Sequence, residues 1–420
     1  MTTGTLALII LIAILAQASV AALIALKRHR RQFRKLDGSS SESSAHSAAP
    51  ASTPPTSSTE AWAGFREFSV RRREFEDSGR SVCSFYLEPC DGEPLSSFKP
   101  GQFLTFRLAV RNLAKAETNT LVRCYSLSDA PRSDYYRVSI KRVPAPSDHP
   151  DLPPGVSSGF FHDHVREGDR LMVKAPSGHF HLVEDEPLPI VLIAGGIGIT
   201  PMLSILNTVL ERGIEREIWL YYGVRNGREH VMKEHLQTLA GRHNNFHLHV
   251  CYSAPDESDI EGTDYDHPGR VDVPLLRNTL RLARYQFYVC GPKPMIESLV
   301  PGLEEWGVGS EDIHYESFGP ATLVKREKPA RTASATPISV TFSLSGKTLS
   351  WDPSADSLLE FAEANAIEVE SGCRAGSCGT CQTALTAGEV DYSQQPDADI
   401  EPGHCLLCIA TPRCDLVLEA

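Results

Sequence analysis

At 420 residues the chain exceeds one ordinary domain, and two or three cores of about 100–150 residues fit it. A hydrophobic content of 41% with 22% charged residues excludes a chain that is disordered or collagen-like overall. The net charge of −12 argues against a nucleic-acid-binding protein. That charge is unevenly spread: residues 1–36 hold six Lys/Arg and no acid, whereas residues 338–420 hold 13 acids against three bases.

The first predicted element is residues 6–26, a run of 21 residues without a charge. As a helix it spans roughly 30 Å, about one hydrocarbon core. The bases Lys27, Arg28, Arg30, Arg31, Arg34 and Lys35 follow at once. A cleaved signal peptide would carry its charges before a shorter apolar stretch. Residues 1–36 therefore read as a transmembrane anchor with a basic flank, and the positive-inside rule places the remainder on the cytoplasmic side of the cell membrane. Residues 37–61, rich in Ser, Ala, Pro and Thr, read as a flexible linker.

Residues 65–182 show short alternating β segments, among them 102–110 and 135–141. Residues 188–318 alternate strand and helix: strand 189–194, helix 200–212, strand 218–224, helix 229–240 and strand 285–290. That rhythm predicts a parallel sheet with helices on both faces. Residues 321–337 break the composition as an interdomain linker. The acidic end carries two β runs, a helix near 355–364 and a Cys-rich loop.

In that loop Cys373-x4-Cys378-x2-Cys381 is followed, after 26 intervening residues, by Cys408. Four thiolates are what a [2Fe–2S] cluster requires, and this is the plant-type ferredoxin spacing. Among the intervening residues all but Arg374 are small, so the loop can wrap an inorganic core and aim backbone N–H groups at its sulfurs. A structural zinc site usually pairs two Cys-x2-Cys knuckles, and one is present here. Disulfides are disfavoured on the cytoplasmic side. Cys405 and Cys414 stand near the fourth ligand and compete with it. Cys83, Cys90, Cys124 and Cys251 read as structural thiols, and His243, His247 and His249 as surface and strand histidines.

Further upstream, Ala194-Gly195-Gly196-Ile197-Gly198-Ile199-Thr200-Pro201 lies between a predicted buried strand and a helix. Glycines let a backbone approach a pyrophosphate, and the helix N-terminus favours its charge. Arg123-Cys124-Tyr125-Ser126 matches the Arg-x-Tyr-Ser/Thr motif of the ferredoxin–NADP reductase superfamily. Pro100-Gly101-Gln102-Phe103 matches the strand that precedes it there, and Gly155-Val156-Ser157-Ser158 the start of a short helix, 159–164 in this sequence. Cys290-Gly291-Pro292-Lys293-Pro294-Met295 resembles that family's second nicotinamide loop, and Glu316-Ser317-Phe318-Gly319-Pro320 its flavin-edge segment.

From about residue 62 onward the chain thus resembles NAD(P)H-dependent flavin/iron–sulfur reductases, the partners of oxygenases and hybrid-cluster proteins. The stretches 155–183 and 188–206 look closer to the reductase half of flavohaemoglobins. The resemblance implies an antiparallel β-barrel flavin domain (62–185), an α/β parallel-sheet nicotinamide domain (186–320) and an α+β β-grasp ferredoxin domain (338–420). It also implies FAD, with FMN as the alternative, held by Gln102, Arg123, Tyr125, Ser126, Ser157, Ser158 and Phe318. NADH, or NADPH, is implied at Gly195, Gly196, Gly198, Thr200, Pro201, Gly291 and Pro292. The segment Leu406-Leu407-Cys408 resembles the last-ligand segment and singles out Cys408.

The implied reaction passes hydride from the nicotinamide to the flavin, then single electrons to the cluster and to a protein acceptor docked near the cluster loop, such as an oxygenase, a desaturase or a hybrid-cluster protein. Cys290 would stand by the nicotinamide, while Ser126 and Glu316 tune the flavin and manage its proton. NADH is favoured, although Arg225 and Arg228 stand where a 2′-phosphate would be gripped. A membrane NADH–quinone oxidoreductase subunit is the rival reading, but those subunits place the ferredoxin before the flavin domain. A non-catalytic redox sensor is a second rival.

Overall fold

Strands β1 (Phe65–Phe75), β2 (Val82–Pro89), β3 (Phe103–Asn112), β4 (Glu117–Ser126), β5 (Tyr136–Lys141) and β6 (Arg170–Ser177) form one antiparallel sheet of order β4-β3-β6-β1-β2-β5. The computed structural model describes residues 61–62, 64–112, 117–145, 154–318, 337–374, 376, 378–393, 396, 398 and 400–420. The anticipated anchor, the tether up to residue 60 and the linker up to residue 336 lie outside the described residues. Among the described residues no helix is long and apolar enough to cross a membrane. The described residues group into one compact unit.

The first sheet is curled. An antiparallel bridge between Leu127, just after β4, and Val138 of β5 brings its two edge strands together at one end. Alternate residues such as Phe68, Phe85, Leu104, Phe106 and Val173 fill the inside with a core from which water is excluded. Each such fully buried side chain contributes about 1.5–3 kcal/mol relative to exposure. Helix α1 (Val156–Asp163) closes the sheet through Phe161, which meets Phe85 and Phe106 edge to face. It starts at Val156 rather than at residue 159, because Gly155, with no side-chain cap, already accepts the first helical hydrogen bond from Gly159.

The second sheet is wholly parallel, of order β10-β9-β8-β7-β11-β12. Its strands are β7 (Ile190–Gly195), β8 (Ile218–Val224), β9 (Phe246–Tyr252), β10 (His267–Pro268), β11 (Gln286–Gly291) and β12 (Ile313–Ser317). All six residues of β7 are buried, the signature of a strand covered on both faces. Leu192 and Ala194 face one core with α2 (Ile199–Glu211), while Val191 and Ile193 face the other with α5 (Lys293–Glu305). The expected helix over 229–240 divides into a 3₁₀ turn, Gly227–Glu229, and α3 (Lys233–Arg242). Met232, left-handed at φ +53°, breaks it, and its N–H donates to Glu76 O, one residue past β1, at 2.8 Å. Helix α4 (Val273–Thr279) is capped by Asp272, which accepts from the Leu275 N–H.

Asp129 joins the two sheets. Its carboxylate accepts from Asn207 Nδ2 at 2.8 Å and its carbonyl from Ser204 Oγ at 2.8 Å, both donors on α2. Beyond residue 337 come seven short strands where two β runs are expected: β13 (Ser339–Phe342), β14 (Lys347–Ser350), β15 (Gln382–Ala387), β16 (Val390–Tyr392), β17 (His404–Leu406), β18 (Ala410–Pro412) and β19 (Leu416–Leu418). Strands of three or four residues are too short to show an alternation in sequence. They form a sheet of order β14-β13-β19-β15-β17 and a separate β16-β18 pair around α6 (Leu358–Ala364). Ser357 caps α6 by accepting from Glu360 N at 3.2 Å, and Glu360 in return accepts from Asp356 N at 2.7 Å.

Candidate functional site

The order of the parallel sheet reverses beside β7, the place where an open α/β sheet leaves a crevice for a ligand. Two glycine-bearing loops meet there. The first runs from β7 through the 3₁₀ turn Gly196–Gly198 into α2; the second leads from β11 into α5. A Cβ on Gly198 would lie 2.3 Å from Cys290 O, and one on Gly195 would lie 2.5 Å from Met295 Sδ. Gly291 is equally enclosed, with φ +156° and Met295 Sδ 2.9 Å from its would-be Cβ. Gly196 differs, being left-handed at φ +53° with open space around it.

The N-terminus of α2 has no side-chain cap and no acid in its first turn, so its free N–H groups and dipole are available to an anionic group. Thr200 is buried and spends its hydroxyl on Ile197 O at 3.0 Å, which leaves it a loop brace. Pro201 occupies the first turn, where a missing N–H costs no helical bond. Pro292 precedes α5 in the same way, in an extended conformation.

Cys290 and Glu316 are direct partners on the adjacent strands β11 and β12. Cys290 is fully buried, and burial first, then the Glu316 charge, pushes its thiol well above the usual range. Burial pushes the Glu316 carboxyl up to about 8, and its Oε2 is enclosed with no hydrogen-bond partner. An orphaned, protonated carboxyl at the crevice is suited to donate to a bound ring. Ser126, the third residue expected beside them, is buried at the end of β4, opposite Phe103. Phe318, just past β12, packs on the nicotinamide-side core.

In the first sheet Arg123 is exposed and donates to Val122 O at 2.7 Å. Tyr125 meets Phe106 and Phe161 edge to face and shares a 2.8 Å hydrogen bond with Ser157 Oγ, tying β4 to the start of α1. Ser158 is already engaged: its hydroxyl accepts from Val143 N and donates to Gly155 O, both at 3.1 Å. Gln102 likewise braces its own turn, accepting from Lys99 N at 2.9 Å and donating to Gly178 O at 3.3 Å. What this region offers an anionic cofactor is the Arg123 guanidinium and the uncapped first turn of α1, more than the two serine hydroxyls.

The four cysteines of the acidic module come together as two pairs. Cys373 N donates to Cys378 Sγ at 3.2 Å and Cys378 N to Cys373 Sγ at 3.3 Å. Cys408, two residues beyond β17, donates its thiol to Cys381 and so favours the Cys381 thiolate. The Cys378 thiolate is favoured chiefly by hydrogen bonds from Cys124 and Cys373. Left-handed residues Arg374, Gly376 and Gly379 curl the loop, with φ of +55°, +75° and +70°. A Cβ on Gly372 would stand 2.9 Å from Cys378 Sγ, and one on Gly376 2.5 Å from Ile409 Cδ1. The Arg374 guanidinium pairs with both oxygens of Glu363 and pins the loop to α6. Two thiol pairs suit a two-iron centre, with two thiolates to each iron.

Among the described residues no three His, Cys, Asp or Glu side chains are grouped to hold one metal ion. Cys405 is fully buried beside Thr383, and burial pushes its thiol up to about 12, whereas Cys414 is exposed. Cys124 corrects the sequence reading. Its Sγ lies 3.3 Å from Thr105 Oγ1, and it stands beside the sulfurs of Cys373 and Cys378 rather than inside the apolar core. Its signal was its place on β4: it alternates with Arg123 and Tyr125, so it points to the other face of the strand.

Residues 192–300 match the oxidoreductase NAD-binding domain family, and residues 341–413 the 2Fe–2S iron–sulfur cluster binding domain family. The chain is 40% identical to a flavohemoprotein of Halalkalibacterium halodurans over 260 residues, 62% of this chain and 61% of that protein. It is 42% identical to one of Bacillus thuringiensis over 264 residues, 63% of each. The chain therefore spans a little over three fifths of the curated relatives it matches. The flavohem-like FAD/NAD-binding domain of nitric oxide dioxygenase from Vibrio cholerae is 32% identical with a TM-score of 0.52, matching 61% of this chain and all of that domain. Phthalate dioxygenase reductase, a modular structure for electron transfer from pyridine nucleotides to [2Fe–2S], is 28% identical with a TM-score of 0.50, matching 85% of this chain and 98% of that one.

Proposed function

The chain belongs to the NAD(P)H-dependent flavin/iron–sulfur oxidoreductases, and we propose that within them it is a membrane-anchored reductase serving a protein electron acceptor, foremost an oxygenase. FAD, NAD(H) and a [2Fe–2S] cluster are its cofactors. Together they convert one hydride into two single electrons. Arg123 and the first turn of α1 would hold the flavin phosphates, and the turn from Gly195 to Thr200 the nicotinamide pyrophosphate. Cys290 and Glu316 would flank the reacting rings, with Glu316 donating a hydrogen bond while protonated. Cys373, Cys378, Cys381 and Cys408 would hold the cluster.

The observation that carries this reading is a hydrogen bond across the molecule: Lys174 Nζ, on the sheet that bears the Arg-x-Tyr-Ser strand, donates to Cys378 O at 2.9 Å. The cluster loop is thereby in direct contact with the flavin sheet, which suits passage of electrons between them. Similarity to phthalate dioxygenase reductase supports an oxygenase acceptor; a desaturase or a hybrid-cluster protein would use the same exposed acidic module. NADH is favoured over NADPH because Arg228, one of two arginines available to a 2′-phosphate, is already paired with Asp256 at 2.9 Å.

The test is anaerobic. NADH added to holoprotein should bleach the flavin and then give a [2Fe–2S] electron paramagnetic resonance (EPR) signal, with kcat/KM for NADH above that for NADPH. A bleached flavin with an unreduced cluster would refute the electron path. Anchoring rests on residues 6–26 and the bases that follow. Removing residues 1–36 should free the protein from membranes with NADH–ferricyanide turnover unchanged and reduction of a membrane-bound acceptor slowed. Protease outside intact cells should leave the flavin domain uncut; digestion there would reverse the topology.

A further inference from the structure

The contact between cluster loop and flavin sheet is built from one transverse row of side chains. In the registers of the first sheet Lys174 of β6 lies opposite Thr105 of β3, and Thr105 opposite Cys124 of β4. Residues opposite one another in an antiparallel sheet project from the same face. Thr105 is fully buried and its Oγ1 lies 3.3 Å from Cys124 Sγ. The row ends in two polar groups that both reach the same cluster residue. Lys174 Nζ donates to Cys378 O at 2.9 Å, and the Cys124 thiol stands beside the Cys373 and Cys378 sulfurs. Between them the loop comes as near as glycine allows: a Cβ on Gly372 would lie 3.1 Å from Val122 Cγ1. A cavity of about 410 Å³ adjoins the contact, lined by Arg107, Val122 and Lys174 from the sheet and by Glu370 and Thr380 from the cluster domain.

Resting on the cluster reading above, we propose that Cys124 and Lys174 are positioning residues through which the flavin sheet holds the cluster loop and raises the reduction potential of the cluster. Hydrogen bonds to ligand sulfurs and nearby positive charge stabilise the more negative, reduced cluster. Lys174 is half-buried with its Nζ 5.3 Å from the Phe65 ring centroid, so its charge is fixed and only partly screened. Arg123 and Tyr125 occupy the opposite face of the strand from Cys124. One strand therefore serves both redox groups, and the middle position of its Arg-x-Tyr-Ser motif belongs to the cluster. A packing contact alone would join the domains without moving the potential.

The experiment is an EPR redox titration of holoprotein, with iron and flavin content measured on every sample. Cys124→Ala and Lys174→Met should each lower the ratio of reduced to oxidised cluster at fixed poise about tenfold, which is 59 mV for a one-electron couple. Cys124→Ala should also shift the g-values, and Cys124→Ser, which keeps a donor, should recover most of the potential. Full iron with unchanged potential in both variants overturns the proposal, as does a Ser variant that behaves like Ala. Should Cys124→Ala not retain iron, Lys174→Met decides, since Lys174 touches no ligand sulfur. A wild-type protein with no [2Fe–2S] signal after dithionite would instead fail the cluster reading itself.

Discussion

Two loops of this molecule are rich in glycine for opposite reasons. In the cluster loop Gly376 and Gly379, like Arg374, are left-handed, and the curl they impose turns cysteine side chains toward one another. In the loop after β7 the conformation at Gly198 is ordinary, with φ −61°, and glycine is demanded by crowding against Cys290 O. The first loop offers side chains as donors; the second offers backbone and clears everything else away. Chemistry carried by side chains leaves a pattern of residue types at fixed spacing. Chemistry carried by backbone leaves small residues, whose reason is visible only when the neighbouring strand is in place.

The sharpest break of that contrast is at the thiols. Cys408→Ser should lose most of the iron and slow transfer to one-electron protein acceptors by at least about a hundredfold, because each thiolate would be one of four ligands. NADH–ferricyanide turnover through the flavin should persist. Cys405→Ser, altering a thiol buried beside Thr383, should keep its iron. Iron analysis and visible spectra check this, and the reverse pattern would move the fourth ligand to Cys405.

For the backbone loop a pair of alanines separates crowding from conformation. Gly198→Ala drives a methyl into backbone 2.3 Å away and should cost about 1–3 kcal/mol, with the KM for NADH rising about tenfold. Gly196→Ala meets no atom within 4 Å and bears only the left-handed penalty, about 1 kcal/mol. Thermal melts and NADH kinetics of the two should therefore differ; equal effects would mean that the contact with Cys290 does not shape the site.

What was legible in the sequence follows the same division. The cysteine spacing marked the loop and left the fourth thiol to the resemblance of Leu406-Leu407-Cys408, and the alternation of apolar runs pointed to the parallel sheet, since β7 is buried on both faces and reads as one apolar stretch. The polar residues expected to grip cofactors were read less well. Gln102, Ser158 and Thr200 stand in the right loops, yet their side chains hold the protein's own backbone. A hydroxyl in a motif looks the same in sequence whether it faces a ligand or braces the turn that does. Lys174 carries no mark in the sequence because the loop residue it binds, Cys378, is 204 residues away.

Glu316 extends the comparison to a half-buried side chain whose state depends on pH. Free glutamate titrates near 4.3, while burial holds the native carboxyl near 8. Between these values the unfolded chain has lost a proton that the native state keeps, so this group makes stability fall as pH rises from about 4 to 8, and the loss levels off above. Glu316→Gln removes the titration. Its stability relative to wild type should therefore grow across that window, by at most about 1.4 kcal/mol per pH unit. Urea unfolding of both proteins at pH 5, 6.5 and 8 measures this, and a difference independent of pH would show that the carboxyl is not held protonated.

The smallest effect expected is at Ser158, and it bears on how the flavin side is built. If its hydroxyl clamps Val143 to Gly155 and contributes little to cofactor binding, Ser158→Ala should lose about 1 kcal/mol of stability for the broken bonds. FAD affinity should then change by less than about threefold, because the N–H groups of the first turn of α1 remain. Ser157→Ala would break the link to Tyr125 instead, loosening β4 from α1 where the flavin phosphates are expected. Flavin release measured by fluorescence during a thermal ramp distinguishes the two. A Ser158 variant that loses FAD before it loses its fold would return that hydroxyl to the ligand and make this loop resemble the cluster loop, with side chains as the donors.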